Sequence, residues 1–523
     1  MKKSIAIVFI ALFTNVLVYS QTNTEFFKSY RLSSTLWERC ESIKILQNGD
    51  YIDVGESSHC DGVSTCNNSC SFIWFDKYGN TLRNKKIGSV DGFYGVQLAE
   101  CNDHSLIAHG NVDNNLMFLK TDNTGNVIWS KIINHVSDMN AKDLVQIDTL
   151  YFVNGSLGYN ASQIYSFTES GSFKWMKSVV AADRIRVKAI TKSYSKTLIG
   201  IAQLTNTTSY YGAAALFELD INGNILNSKI ITPSFTNYTR ETAFNICKTS
   251  DGNFIACFAH NNGGYYMLKI NSALSILWSV NITANPLFGS GYRDVITADN
   301  AGGVWIGSNS QYSKAIELIH ISSNGSLLEK NTYSNNDLIE LSSMNYTSDC
   351  NLLIGGARRD GIVYSHFLAA LGKDGKTSCI DSLYNVSIQP ITFGTQAYTI
   401  SMASETVTVS NVNLFQETGA YQETNYCSAI ADNCTSNSIN DFTDENDISV
   451  FPQPASDLLQ IRNQSSHQLR FTLYNELGIS VLEKQISVGL NSLDISEIPE
   501  GIYFYNISYT NGLSKTGKII KRN

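Results

Sequence analysis

The stretch LKTDNTGNVIWSK, residues 119–131, decides the fold. It reads as an apolar strand end, a polar turn Asp122-Asn-Thr-Gly125, and a second strand carrying Trp129 and Lys131. Glycine suits the tight turn because it accepts positive φ at little cost. The same unit recurs as FDKYGNTLRNKK, SFTESGSFKWMK, ELDINGNILNSK, LKINSALSILWSV, HISSNGSLLEK and LGKDGKTSCID. The turn glycine falls at 79, 125, 171, 223, 325 and 375, with Leu274 in its place once, at intervals of 46 to 52 residues. Leu274 is therefore expected to occupy a different kind of turn. A second strand–turn–strand precedes most copies, as in ICKTSDGNFIACF and TADNAGGVWIGS, so each repeat holds two hairpins.

Four short antiparallel strands in 40 to 50 residues is the arithmetic of a β-propeller blade. The expected fold is all-β: a seven-bladed β-propeller followed by a small C-terminal antiparallel β-sandwich. The segment TEFFKSYRLSS, ahead of the first full unit, would supply the strand that latches the ring. Residues 395–427 keep eight blades open as an alternative, with TISMASETVTVSN and LFQETGAYQ as a further pair of strands. The repeats loosely resemble the quinoprotein-like and Asp-box propeller motifs, most clearly at Asp122–Trp129. The tryptophan position holds Arg83, Trp129, Trp175, Asn227, Trp278, Glu329 and Cys379, so packing between blades explains the indoles better than a quinone cofactor does.

Composition agrees with a sheet protein. Of 523 residues 43 % are hydrophobic and only 16 % charged, with 27 Tyr, 24 Phe and 6 Pro, which excludes coiled coils and global disorder. A net charge of −8 argues against a nucleic-acid surface. Lys2 and Lys3 followed by the apolar run Ile5–Val18 read as a signal peptide over 1–20, cut before Gln21. No other apolar run is long enough to span a membrane. Export puts the 11 cysteines in an oxidising compartment. The candidate disulfides are Cys247–Cys257 across the Asp251-Gly252-Asn253 turn, Cys379–Cys427, and one pair within Cys60, Cys66 and Cys70. Zinc at the last cluster is disfavoured by its spacing, and no metal or cofactor is expected.

Beyond a propeller domain at 21–435, the polar, acidic stretch 436–447 reads as a linker, and alternation returns over 448–523 in about seven short strands. There Val450-Phe451-Pro452-Gln453-Pro454-Ala455-Ser456-Asp457-Leu458 opens a series of motifs. Leu473-Tyr474-Asn475-Glu476-Leu477-Gly478, Ile498-Pro499-Glu500-Gly501-Ile502-Tyr503 and Lys518-Ile519-Ile520-Lys521 follow in order. This tail resembles the type A C-terminal sorting domain of the Bacteroidota type IX secretion system. The departures are Gln453 for Asn and Asn475 for Asp, which keep polar turn chemistry. The resemblance implies passage through the periplasm, recognition by the outer-membrane translocon, and processing by a sortase-like peptidase. It implies the cell surface or the extracellular space as destination, and Pro452, Pro454, Asp457, Leu473, Tyr474, Gly478, Pro499, Gly501, Tyr503, Lys518 and Lys521 as the sorting signal. It is silent on the repeats.

The repeats contain no nucleophile elbow, HExxH or phosphate loop. His109 and His260 end apolar strands and are expected at the rim, and Arg358-Arg359-Asp360 is expected at a loop tip. The expected function is a surface module binding glycan or protein. The alternative is a secreted polysaccharide hydrolase or lyase working in the propeller funnel.

Overall fold

The computed structural model describes residues 26–428 and 448–522, apart from short segments of which 61–65, 135–142, 206–211, 233–243, 286–294, 377–384, 452–454 and 476–479 are the main ones. The chain divides into two compact units, 1–433 and 434–523. The signal-peptide region, the linker 436–447 and Cys379 lie outside the described residues.

The first unit consists of seven antiparallel sheets. Sheet one is Trp37–Ile45, Tyr51–Cys60, Cys66–Phe75 and Thr81–Gly88. Sheets two to six follow the same four-strand pattern, opening at Tyr94, Leu144, Arg184, Phe244 and Val295. Sheet seven takes three strands from 338–371, and its fourth is Phe26–Leu32, paired antiparallel to Val363–Leu371. The N-terminal segment thus supplies the latching strand. The first strand of each sheet touches the first strand of the next, and sheet seven touches sheet one, which closes the cycle.

The core has the same cyclic form. Seven apolar clusters each lie between two adjacent sheets. Phe72, Trp74 and Leu119 mark the first, between sheets one and two, and Phe26, Ile43 and Leu368 the last, between seven and one. Each sheet thus covers the apolar face of its neighbour.

The turns explain the repeat period. Asp122 accepts the amides of Thr124 and Asn126 at 2.9 Å, and Gly125 takes φ +89°. Leu274 corrects the expectation of a different turn. Its amide donates to Asn271 O at 3.0 Å and its φ is +56°, the geometry of the glycine copies. The reason is steric. A Cβ at Gly171, Gly223 or Gly325 would press on Trp129, Trp175 or Trp278 of the preceding sheet. Sheet four carries Asn227 at that position, so the missing indole leaves room for the fully buried Leu274.

Residues 385–428, which the sequence left open as an eighth blade, join existing sheets wherever they are described, as single fifth strands in an order that runs against the repeats. Asn385–Pro390 joins sheet five, Gly394–Ala397 sheet four, Ile400–Ser404 sheet three, Thr408–Asn411 sheet two, Phe415–Glu417 sheet one, and Tyr421–Ser428 sheet seven. In sheets one to five this belt pairs with the later half of the fourth strand, and in sheet seven it pairs with Phe26–Leu32 along its whole length.

The second unit has a three-stranded sheet, Ile448–Phe451, Leu458–Asn463 and Gly489–Asp494. A four-stranded sheet of Ser480–Ile486, Leu469–Tyr474, Gly501–Tyr509 and Ser514–Lys521 shares one core with it, around Leu459, Phe471, Ile507 and Ile519.

Candidate functional sites

The variable tryptophan position is a lacing position. Arg83, Trp129, Trp175, Asn227 and Trp278 each donate a side-chain N–H to a backbone carbonyl in the next sheet's turn, at Asn123, Glu169, Ile221, Ala273 and Ser323. What the site requires is an N–H donor, which Arg, Trp and Asn share. Glu329 cannot donate, and in its sheet Asn331 and Tyr333 bond Asp374 O and Gly375 O instead. Tyr30 does the same from sheet seven to Gly79 O.

At the seam between sheets one and seven stands a buried polar chain. His366 Nδ1 is 2.9 Å from Asp53 Oδ2, and His366 Nε2 is 3.2 Å from Ser71 Oγ. All three residues are at most 1 % exposed. Burial pushes the His366 imidazole down, but the charge and hydrogen bond of Asp53, with Glu38 and Glu41 beyond, outweigh it and hold its pKa above the ordinary value. The order of groups is that of a serine hydrolase triad. Its burial makes it a fastening of the seam, since no substrate carbonyl reaches a Ser71 that is fully enclosed.

The first strands carry the accessible polar groups. Four of them have one extra residue at the same register, Glu41, Val96, Lys188 and Ser342, each a β-bulge five residues before the hairpin turn. A bulge leaves its residue unpaired and re-aims the side chain. Arg39 Nε meets Glu41 Oε1 at 2.5 Å, and Arg39 lies opposite Glu56 in the ladder. Burial drives the Glu41 carboxyl up to about 7 against the pull of Arg39, and burial raises Glu56 as well. Gln97, Arg186, Lys188, Asn245 and Glu340 are likewise half-buried on first strands. No single-residue motif announces this set, because each member comes from a different repeat.

Several expectations from the sequence fail here. Cys247 and Cys257 are not joined in a disulfide. The hairpin turn spans 249–253, so Cys247 faces Ile255 and Cys257 faces Asn245, two residues out of register. Cys70 is buried and outside any disulfide, which removes it from the first cluster, while the backbone places Cys60 opposite Cys66. The Cys379–Cys427 pairing lies outside the described residues. Cys350, which the sequence did not single out, is disulfide-bonded. His109 is fully buried beside Phe118, not at the rim, and burial lowers its pKa to about 3. The side chain of His260 lies outside the described residues. Arg358 and Arg359 close a strand, with Arg358 buried and Arg359 over the Tyr364 ring.

In the second unit the sorting motifs converge although they are far apart in sequence. Ala455 forms a parallel bridge with Lys521, through Ala455 N to Ile520 O and Arg522 N to Ala455 O. Asp457 O accepts the Ile495 amide, and its carboxylate is 3.7 Å from the buried Lys521 ammonium. Gly501 pairs with Lys521, and the Tyr503 hydroxyl donates to Pro499 O at 2.9 Å. Leu473 is in the core, Tyr474 pairs with Phe504, and Lys518 is exposed opposite the same Phe504. Pro452, Pro454 and Gly478 lie outside the described residues.

No curated protein matches the chain. Solved structures with similarity include puromycin hydrolase, at 10 % identity over 67 % of this chain and 55 % of that one, with TM-score 0.43. An ulvan lyase of a new polysaccharide lyase family is 8 % identical over 68 % and 98 %, with TM-score 0.40. The Penicillium chrysogenum α-L-arabinanase complexed with arabinobiose is 12 % identical over 60 % and 97 %, with TM-score 0.37. The family described as secretion system C-terminal sorting domain matches residues 449–522. The tail is therefore a type IX secretion sorting domain, and it marks the protein for export across the outer membrane to the cell surface or the extracellular space.

Proposed function

We propose that the seven sheets are the blades of a seven-bladed β-propeller, and that this exported ring is a binding module for glycan or protein. The observation that carries the reading is the row of half-buried polar side chains on the first strands, Arg39, Glu41, Gln97, Lys188, Asn245 and Glu340. These strands are the edges that meet in the closed cycle, so their side chains converge on its axis. Groups of this kind, partly desolvated but reachable, hold a polar ligand better than solvated surface groups do. The sorting tail would deliver the ring to the translocon and to a sortase-like peptidase. The test incubates the secreted protein with polysaccharides and glycoproteins and reads retention and new reducing ends together. Retention without new ends supports the module.

The second reading, a polysaccharide hydrolase or lyase, draws on Glu41 and Glu56. A carboxyl held at about 7 beside a second carboxylate is equipped to donate a proton at neutral pH. Release of reducing ends that Glu41→Gln abolishes while retention persists would favour this reading over simple binding.

A further inference from the structure

The four-stranded sheet of the tail turns one face to the core and leaves the other outside. Along Gly501–Tyr509, Tyr503, Tyr505 and Ile507 enter the core, so Ile502 and Phe504, which alternate with them, point away from it. They are 41 % and 48 % exposed, although a strand can place polar residues there at no cost to the core. The ladder surrounds these two with more apolar surface. Phe504 lies opposite Tyr474 on one side and Lys518 on the other, and Ile502 lies opposite Ile520. Side chains directly opposite are about 5 Å apart and same-face neighbours on one strand about 7 Å, so these rows touch. Val481, also exposed, stands in the bulge beside Tyr474. Beyond this patch the face is polar, with Thr472 and Asn506 paired and then Arg470 at 3.4 Å from Glu483.

The three-stranded sheet is arranged differently. Its exposed Leu458 and Leu490 stand two rows apart, roughly 13 Å, with Gln460 and Ser492 between them. Arg462, opposite Leu490, lies over the Phe451 ring.

The patch also divides the sorting motifs into two sets. Leu473, Tyr503 and Ile519 are core residues, and the buried Lys521 ammonium lies 3.7 Å from Asp457, so folding accounts for them. Tyr474, Lys518 and Ile520 come from two separate motifs and lie on the face turned away from that core, in the rows of Phe504 and Ile502. A continuous apolar face that the domain does not use for its own core marks a contact with another protein.

We infer that the face formed by Tyr474, Val481, Ile502, Phe504, Lys518 and Ile520 is the surface by which the tail docks into an apolar groove of an outer-membrane protein of the secretion machinery. The partner follows from the family match of the tail, and the inference rests on the reading of that tail as the address the machinery receives. Aromatic and aliphatic anchors at the centre supply affinity, and the Lys518 charge at the side supplies orientation.

The test expresses the full chain in its native cell and reads the fraction that reaches the outside. Ile502→Thr with Phe504→Thr keeps residues suited to a strand and should cut that fraction about tenfold or more. Leu458→Thr with Leu490→Thr, on the other sheet, should leave it unchanged. A photo-crosslinking residue at position 504 should trap an outer-membrane protein whose loss also holds the native chain inside, and one at position 490 should not. Should the first pair lower the melting temperature of the tail, Lys518→Glu carries the same expectation. Normal export of the first pair, while a chain lacking 448–523 is held back, overturns this surface and leaves the tail as the address. Equal loss in both pairs overturns it too, as do crosslinks from position 504 only to a second copy, only to the ring or to no protein. Export of the chain lacking 448–523 overturns the sorting reading and this inference with it.

Discussion

Leu274 shows how a single residue compensates for another in the next sheet. It holds a left-handed backbone that costs a leucine roughly 1–2 kcal/mol, and it stays because Asn227 leaves unfilled the space an indole fills elsewhere. Leu274→Gly relieves the backbone but empties a fully buried site, for a net loss of about 2 kcal/mol. Asn227→Trp alone overpacks against Leu274, at about 1–3 kcal/mol. The double variant rebuilds the indole-over-glycine pair of other sheets, so denaturant unfolding should show a coupling of about 1 kcal/mol or more. Additive losses would refute the compensation. At the seam, His366 has a pKa above its unfolded value, held there by Asp53 against burial. Its contribution to stability is therefore full below about pH 6.5, the unfolded value, and is lost as pH rises through the folded value. His366→Gln should destabilise most at acidic pH and flatten the decline of stability above neutrality. A variant whose stability parallels the native profile at every pH would sink this assignment.

At the scale of elements, the four-strand repeat was legible because its period is set by local chemistry, an Asx-type turn and a left-handed position, which a sequence shows directly. Even the latching strand could be placed, since a ring of complete units needs one more edge. The belt could not. Its strands are three to eight residues long and pair with nothing adjacent in sequence, so no turn announces them. Its recognition signal is written in the repeats instead. Ser130, Ser228 and Ser279, each beside the lacing position, donate their hydroxyls to the belt carbonyls of Val412, Tyr398 and Ile391. The candidate site was illegible for a similar reason, since bulges at Glu41 and Lys188 depend on ladder pairing that sequence does not specify. Changing the three serines to alanine removes three hydrogen bonds worth about 1 kcal/mol each. Amide exchange should then quicken over 385–412 while the third strands of the sheets keep their protection. Uniform quickening across the ring would mean that belt and blades open as one unit.

Over the whole chain, the belt gives the ring a guarded outer edge. Fourth strands of a cycle are open hydrogen-bonding edges, and an exported protein meets other chains while carrying them. Among the described residues the belt pairs that edge in six of the seven sheets, and its last strand clamps Phe26–Leu32 into sheet seven. Both ends of the ring domain are thus fixed in one sheet before the chain continues to the sorting tail. The last belt strand ends at Ser428 and the first tail strand begins at Ile448. A peptidase cutting on either side of that interval would have to open a ladder, whereas the stretch 436–447 between them is polar and acidic. Removal of 448–523 should leave the protein inside the outer membrane, as read by fractionation. In the exported protein, intact-mass measurement should place the mature C-terminus within 436–447, with the belt retained and the melting temperature of the ring unchanged. A mature chain that still contains Val450 would mean that the tail is kept, and a terminus before Ser428 would mean that processing unfastens the belt.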